Sequence, residues 1–116
     1  VMVLHINHPQ ELNSTELKAA ITRMKKSGVT VLNQAVLLHS VNDTLSTQVE
    51  LSEALFDAGI LPYYLHVLDK VQGSAHFDST EDDAKKLHQA MAATLPGYLV
   101  PKLVREVANQ PSKITI

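Results

Sequence analysis

Apolar positions along this chain alternate between short β-branched runs and helical stripes. Val1 to Asn7 reads as a strand, closed by His8-Pro9. Asn13, with Glu16 three residues on, reads as a capping box. Leu17, Ala20, Ile21 and Met24 then recur at helical spacing, while Lys18, Arg23, Lys25 and Lys26 take the wet face. Gly28 predicts the helix stop, and the lysines before it suit the negative end of the helix dipole. Val29 to Gln34 is a second strand, its buried path continued by Ala35 to Leu38, and His39 to Asp43 is a loop. A second helix is expected from about Leu45 to Ala58, with Leu51, Ala54, Leu55 and Ala58 on one side and Gly59 as its stop. Leu61 to Asp69 is the third strand, running into a polar loop that carries His76. Thr80 with Asp83 caps a third helix, striped by Ala84, Leu87, Met91 and Leu95 and broken by Pro96-Gly97. Tyr98 to Val104 is a fourth extended run.

The first three strands start about 30 residues apart, each followed by a helix, which is the βα repeat. Crossovers of that length force parallel, right-handed pairing. The expected fold is therefore α/β: half of a (β/α) barrel, with three to four parallel strands and helices on the outer face. Such a half leaves the first strand and the last extended run as bare edges. Two things would cover them: a preceding half of a longer protein, or self-association into a homo-oligomer. The abrupt opening on a strand favours a piece cut from a longer chain.

Composition narrows the function classes. Hydrophobic residues make up 45% and charged residues 19%, an ordinary balance for a folded domain. A net charge of −2, with no basic cluster beyond Lys25-Lys26 or Lys85-Lys86, offers nothing to a nucleic acid backbone or an anionic membrane. The 116 residues contain no cysteine, which removes disulfides, thiolate metal sites, cysteine nucleophiles and iron–sulfur ligation from this chain. The default compartment is the cytoplasm.

The candidate chemistry gathers where the strands end: His5, Asn7 and His8; Asn33 and Gln34; His66 and Asp69; Arg105, Glu106 and Lys113. Parallel strands put these on one rim, the usual site of function in such sheets. Asp69 and Glu106 suit an acid/base pair or two anions gripping a cation. His5 and His8, three apart on a strand, point to opposite faces, so no metal site is assigned. Read by residue type alone, the rim fits a barrel enzyme using Lys113 or Asp69 in aldolase-like chemistry. It also fits a non-catalytic α/β module that binds a partner.

An ordered set of motifs goes further. His5-Ile6-Asn7-His8-Pro9-x-Glu11, Asn33-Gln34-x-Val36-Leu37-Leu38 with Val41-Asn42-Asp43, Pro62-Tyr63-Tyr64 with Asp69, Gly73-x-x-His76-Phe77, and Gly97-Tyr98-x-Val100-Pro101 with Lys113 occur in that order. Together they resemble the C-terminal half of the lysine 2,3-aminomutase family of radical S-adenosylmethionine enzymes, over essentially the whole chain. The resemblance implies one domain, residues 1–116, made of the C-terminal βα units of a partial TIM barrel. It implies an isomerase that converts α-lysine to β-lysine with pyridoxal phosphate, S-adenosylmethionine and a 4Fe–4S cluster whose ligands lie outside these residues. Lys113 corresponds to the lysine that holds pyridoxal phosphate, and His66 to a residue near the pyridoxal ring. Asp69 and Glu106 correspond to the acids that hold the distal ammonium of substrate lysine. His5 and Gln34 correspond to positions beside S-adenosylmethionine. The branch most resembled supplies β-lysine for elongation factor P, a pathway link through the lysyl ligase of that factor, and the short end after Lys113 favours it. Glu106 stands where aspartate is usual, and Asn109-Gln110-Pro111-Ser112 replaces a glycine-rich approach to Lys113. Without cysteine, these 116 residues alone are expected to be inactive.

Overall fold

The computed structural model describes residues 1–67, 81–105 and the short strand at 114–115. Four parallel strands, β1 (Met2–Leu4), β2 (Val31–Val36), β3 (Leu61–Val67) and β4 (Lys102–Arg105), lie side by side in chain order. Helices α1 (Thr15–Lys26), α2 (Leu45–Asp57) and α3 (Glu81–Thr94) fill the crossovers. Sequential order with right-handed crossovers puts all three helices on one face of the sheet. This is the α/β half-barrel that the βα spacing predicts.

The strand burial shows which face is which. In β2, Val31, Asn33 and Ala35 are buried, while Leu32, Gln34 and Val36 between them are only half-buried. The buried set joins Leu65 of β3 and Leu103 of β4 against Ile21, Leu51, Leu55, Ala84 and Met91 of the helices. These residues form the core, and each fully buried leucine or isoleucine contributes roughly 1.5–3 kcal/mol. The opposite face carries no helix among the described residues, and there Val3, Leu61 and Tyr63 are exposed.

Several boundaries differ from expectation. Ser14, not Asn13, caps α1, its hydroxyl accepting the Leu17 N–H at 3.2 Å. Asn13 instead ends a 3₁₀ turn, Pro9–Asn13, which His8 caps by accepting the Gln10 N–H on Nδ1. The Glu11 carboxylate completes that cap by accepting the backbone N–H groups of Asn7 and His8 at 2.7 and 2.8 Å. The capping box exists, but one element earlier, because Pro9 at the first turn position favours the tighter helix there.

β2 runs from Val31 to Val36, so Gln34 lies inside the strand and not at its end. The expected fourth run splits: Gly97–Leu99 is a 3₁₀ turn and the strand begins at Lys102. Pro96 and Pro101 flank that turn, and a proline cannot donate to a ladder. β4 is not a bare edge either. A strand that alternating-pattern reasoning does not foresee, β5 (Ile114–Thr115), pairs antiparallel with Val104 and Arg105. β1 remains an edge among the described strands.

Turns at the helix ends explain two glycines. Gly28 and Gly59 have φ of +82° and +85°, where an L side chain is strained. At Gly59 a side chain would also meet Lys25, whose ammonium crosses from α1 to donate to the Gly59 carbonyl at 3.0 Å.

Candidate functional site on the open face of the sheet

The open face is ordered in rows by strand register. Leu32 stands beside Leu61; Gln34 beside Tyr64, and Tyr64 beside Lys102; Val36 beside His66, and His66 beside Val104. On β1, Val3 pairs with Leu32, so alternation carries His5 onto the face of Gln34. The middle row therefore reads Gln34, Tyr64, Lys102, with His66 one row nearer the carboxyl ends and His5, one residue past β1, on the same side by alternation.

Between Asn33 and Gln34 the pairing with β3 shifts: Asn33 faces Pro62 and Gln34 faces Tyr64, leaving Tyr63 as an extra residue. Pro62 has no N–H for a rung, which makes this the natural place for a bulge. Bulges re-aim side chains and concentrate beside active sites. Here the bulge brings Tyr63 against Tyr64, ring centroids 4.4 Å apart, and puts the Lys102 ammonium 5.4 Å from the Tyr63 ring centre. His66 is buried and meets the Tyr64 ring edge-on at 5.8 Å. A side-chain hydrogen bond with Tyr63, aided by burial and the neighbouring phenol, raises the pKa of Tyr64 above the ordinary phenol range.

The polar residues near the strand ends divide into two kinds. Asn7, Asn33 and Asn42 are consumed by the backbone. The Asn33 carboxamide bonds both the N–H and the carbonyl of Ile6, at 2.8 and 2.9 Å. Asn7 Oδ1 accepts the Val36 N–H at 2.9 Å. Asn42 donates through Nδ2 to the carbonyls of Asn7 and Val36, both at 2.8 Å, and accepts the Leu38 N–H on Oδ1. Gln48 of α2, itself buried, donates to the Asn42 carbonyl at 2.8 Å. These amides close the carboxyl ends of β1 and β2 where the backbone ladder has already stopped. His8 is likewise spent on its turn.

His5 and Gln34 are different: neither side chain makes a hydrogen bond among the described residues. A carboxamide with two donors and two acceptors, and an imidazole beside it, are suited to a polar ligand lying on this face. Among the predicted rim residues, the structure thus brings His5, Gln34 and His66 onto one face. Arg105 pairs in register with Val67 and is half-buried on the helix side by alternation. Asp69, His76, Glu106 and Lys113 lie outside the described residues. Tyr64 and Lys102 of this row are not among the residues that the sequence marks as site candidates. The only available signal was the alternation from Gln34 and His66 across aligned strands, and the bulge at Tyr63 hides that register.

Two grooves on the helix side, of about 510 and 560 Å³, are lined by residues such as Leu12, Lys18 and Glu50, and Val49, Glu53 and Thr94. They lie across the sheet from this row.

The fold and this face define a class first: a parallel βα half-barrel with polar groups on its open inner face. The same fold occurs in the crystal structure of a radical SAM methyltransferase from Sphaerobacter thermophilus, which matches with a TM-score of 0.59 at 17% identity over 89% of this chain and 33% of that one. In sequence, the chain is 51% identical over 113 residues to the L-lysine 2,3-aminomutase of Escherichia coli K12, and 48% identical over 113 residues to that of Haemophilus influenzae. Each match covers 97% of this chain and 33% of the relative. No family model matches the chain. The likeness to L-lysine 2,3-aminomutases therefore runs through nearly all of these residues, and the chain spans about a third of the length of the curated relatives it matches.

Proposed function

We propose that this chain is the carboxyl-side part of an L-lysine 2,3-aminomutase, an isomerase that moves the α-amino group of lysine to the β-carbon. The observation that carries the reading is the 51% identity over 97% of the chain to an enzyme of that name. The open face of the sheet agrees with it, because His5 and Gln34 lie there with their polar groups uncommitted among the described residues.

In this reading S-adenosylmethionine, a 4Fe–4S cluster and pyridoxal phosphate supply radical generation and stabilisation when bound. The chain's own residues bind and orient. His5, just past β1, and Gln34 of β2 offer hydrogen bonds to S-adenosylmethionine. The buried His66, packed on Tyr64, forms a wall beside the pyridoxal ring. Lys113 holds pyridoxal phosphate through its amine, which must lose its proton to do so. Asp69 and Glu106 grip the distal ammonium of lysine. That ammonium carries three donors, so two carboxylates would fix its place and thereby which carbon is presented for reaction. The absence of cysteine from these residues means the cluster ligands belong elsewhere in the enzyme. We assign the enzyme to the cytoplasm, to β-lysine supply for elongation factor P, and to a homo-oligomer, with the preceding half of the enzyme covering the β1 edge. No described helix is long and apolar enough to cross a membrane.

The test uses the full-length protein. Addition of pyridoxal phosphate should produce a visible absorbance band that Lys113→Ala abolishes and Lys102→Ala keeps. Equal bands in wild type and Lys113→Ala would remove Lys113 from its role.

A further inference from the structure

We infer that Asn33 is a positioning residue for the His5–Gln34 pair, its buried carboxamide setting the distance between β2, which carries Gln34, and the residues just past β1, which carry His5. This rests on the reading of His5 and Gln34 as the S-adenosylmethionine side. The parallel ladder between β1 and β2 ends at Leu4 and Asn33. Beyond that point the Asn33 side chain takes both hydrogen-bonding groups of Ile6, accepting its N–H at 2.8 Å and donating to its carbonyl at 2.9 Å. One amide thus replaces the peptide groups of a facing strand, and Ile6 is held a side chain's length from β2. A backbone rung would hold strands at about 4.8 Å.

Ile6 directly follows His5, and Asn33 directly precedes Gln34. Alternation sends Asn33 to the helix side and Gln34 to the open face, so any displacement of the Asn33 backbone moves Gln34 with it. On the other flank of β2 the register with β3 shifts at the same Asn33–Gln34 peptide. That peptide has an amide clasp on one side and a bulge on the other, so its place is set by side chains and not by a regular ladder. Asn33 is 1% exposed, and no bulk water can substitute for the bonds it makes.

Asn33→Asp keeps an acceptor for the Ile6 N–H but turns a second oxygen towards the Ile6 carbonyl. Asn33→Ser is too short to reach both groups. Neither change alters a side chain assigned to touch S-adenosylmethionine. The experiment measures equilibrium binding of S-adenosylmethionine by calorimetry to the full-length protein with its cluster in place. Wild type, both Asn33 variants and Ile21→Val, a core change in α1 that loosens the fold away from this face, are compared. We expect the Asn33 variants to bind on the order of tenfold more weakly while Ile21→Val stays within about twofold of wild type. Amide hydrogen exchange at Ile6 should quicken in Asn33→Ser, which is too short to accept that N–H, and not in Ile21→Val. Wild-type affinity in a folded Asn33 variant would overturn the inference and leave the proposed function standing. If neither variant folds, the wild-type protein decides: Ile6 must be protected from exchange before ligand is added, and protection that appears only with ligand overturns the clasp. A wild-type protein that binds no S-adenosylmethionine would remove the ligand reading itself, and this inference with it.

Discussion

Gly59 has two separate demands on it, and they can be measured apart. Its φ of +85° disfavours any side chain, and a Cβ there would lie 2.5 Å from Lys25 Cδ. Gly28 shares the positive φ but has open space around it. We expect Gly28→Ala to cost roughly 1–2 kcal/mol of stability, the left-handed penalty alone. Gly59→Ala should cost about 1 kcal/mol more, because Lys25 must move and release the Gly59 carbonyl. In a Lys25→Ala background that extra loss should vanish, as a double-mutant cycle read by chemical denaturation would show. Tyr64 supplies a residue-scale prediction in pH. Its phenol is held protonated above the ordinary tyrosine range by the hydrogen bond with Tyr63 first and by burial second. A folded-state value above the unfolded one favours the fold fully while both states keep the proton, and no longer once both have lost it. This contribution is therefore complete below the unfolded tyrosine value and declines as pH rises past it. Ultraviolet titration should show a late tyrosine step that is missing in Tyr64→Phe and comes earlier in Tyr63→Phe.

At the scale of elements, the βα repeat was legible because burial on one face forces a period of two on strands and near four on helices. Leu51 and Leu55 of α2, and Ala84, Met91 and Leu95 in and just after α3, are buried as that periodicity predicts. What escaped was set by contacts without a period. The 3₁₀ turn at Pro9–Asn13 depends on Glu11 reaching two backbone N–H groups, and the β2–β3 bulge depends on Pro62 lacking one. Most telling are Asn7 and Asn33. By type and position they looked like rim chemistry, yet both serve the backbone. Nothing in a linear pattern separates an asparagine that binds a ligand from one that replaces a rung; His5 and Gln34 separate from them only once the bonds are seen. Asn42 shows how much such an amide holds. It is 0% exposed and makes three bonds that link the segment after β1, the end of β2 and the loop before α2. Asn42→Ala leaves those buried groups without partners, and a loss of about 2–4 kcal/mol is expected in denaturant unfolding.

For the whole molecule, the decisive property is that four strands run the same way in chain order, so one open face collects groups from residues far apart in sequence. That property was readable from spacing alone, since a helical crossover leaves no other pairing. The identity of the chemistry was readable only from the ordered motifs, and the likeness to L-lysine 2,3-aminomutases over 97% of the chain agrees with them. The proposed roles of Asp69, Glu106 and Lys113 rest on those motifs. The most direct measurement is product analysis of the full-length protein, reconstituted with its cluster and given isotope-labelled L-lysine, pyridoxal phosphate, S-adenosylmethionine and a reductant without oxygen. We expect labelled β-lysine, lost in Lys113→Ala and strongly reduced in Gln34→Leu. Intact labelled α-lysine as the sole amino acid recovered, from protein shown to carry a full cluster, would contradict the assignment.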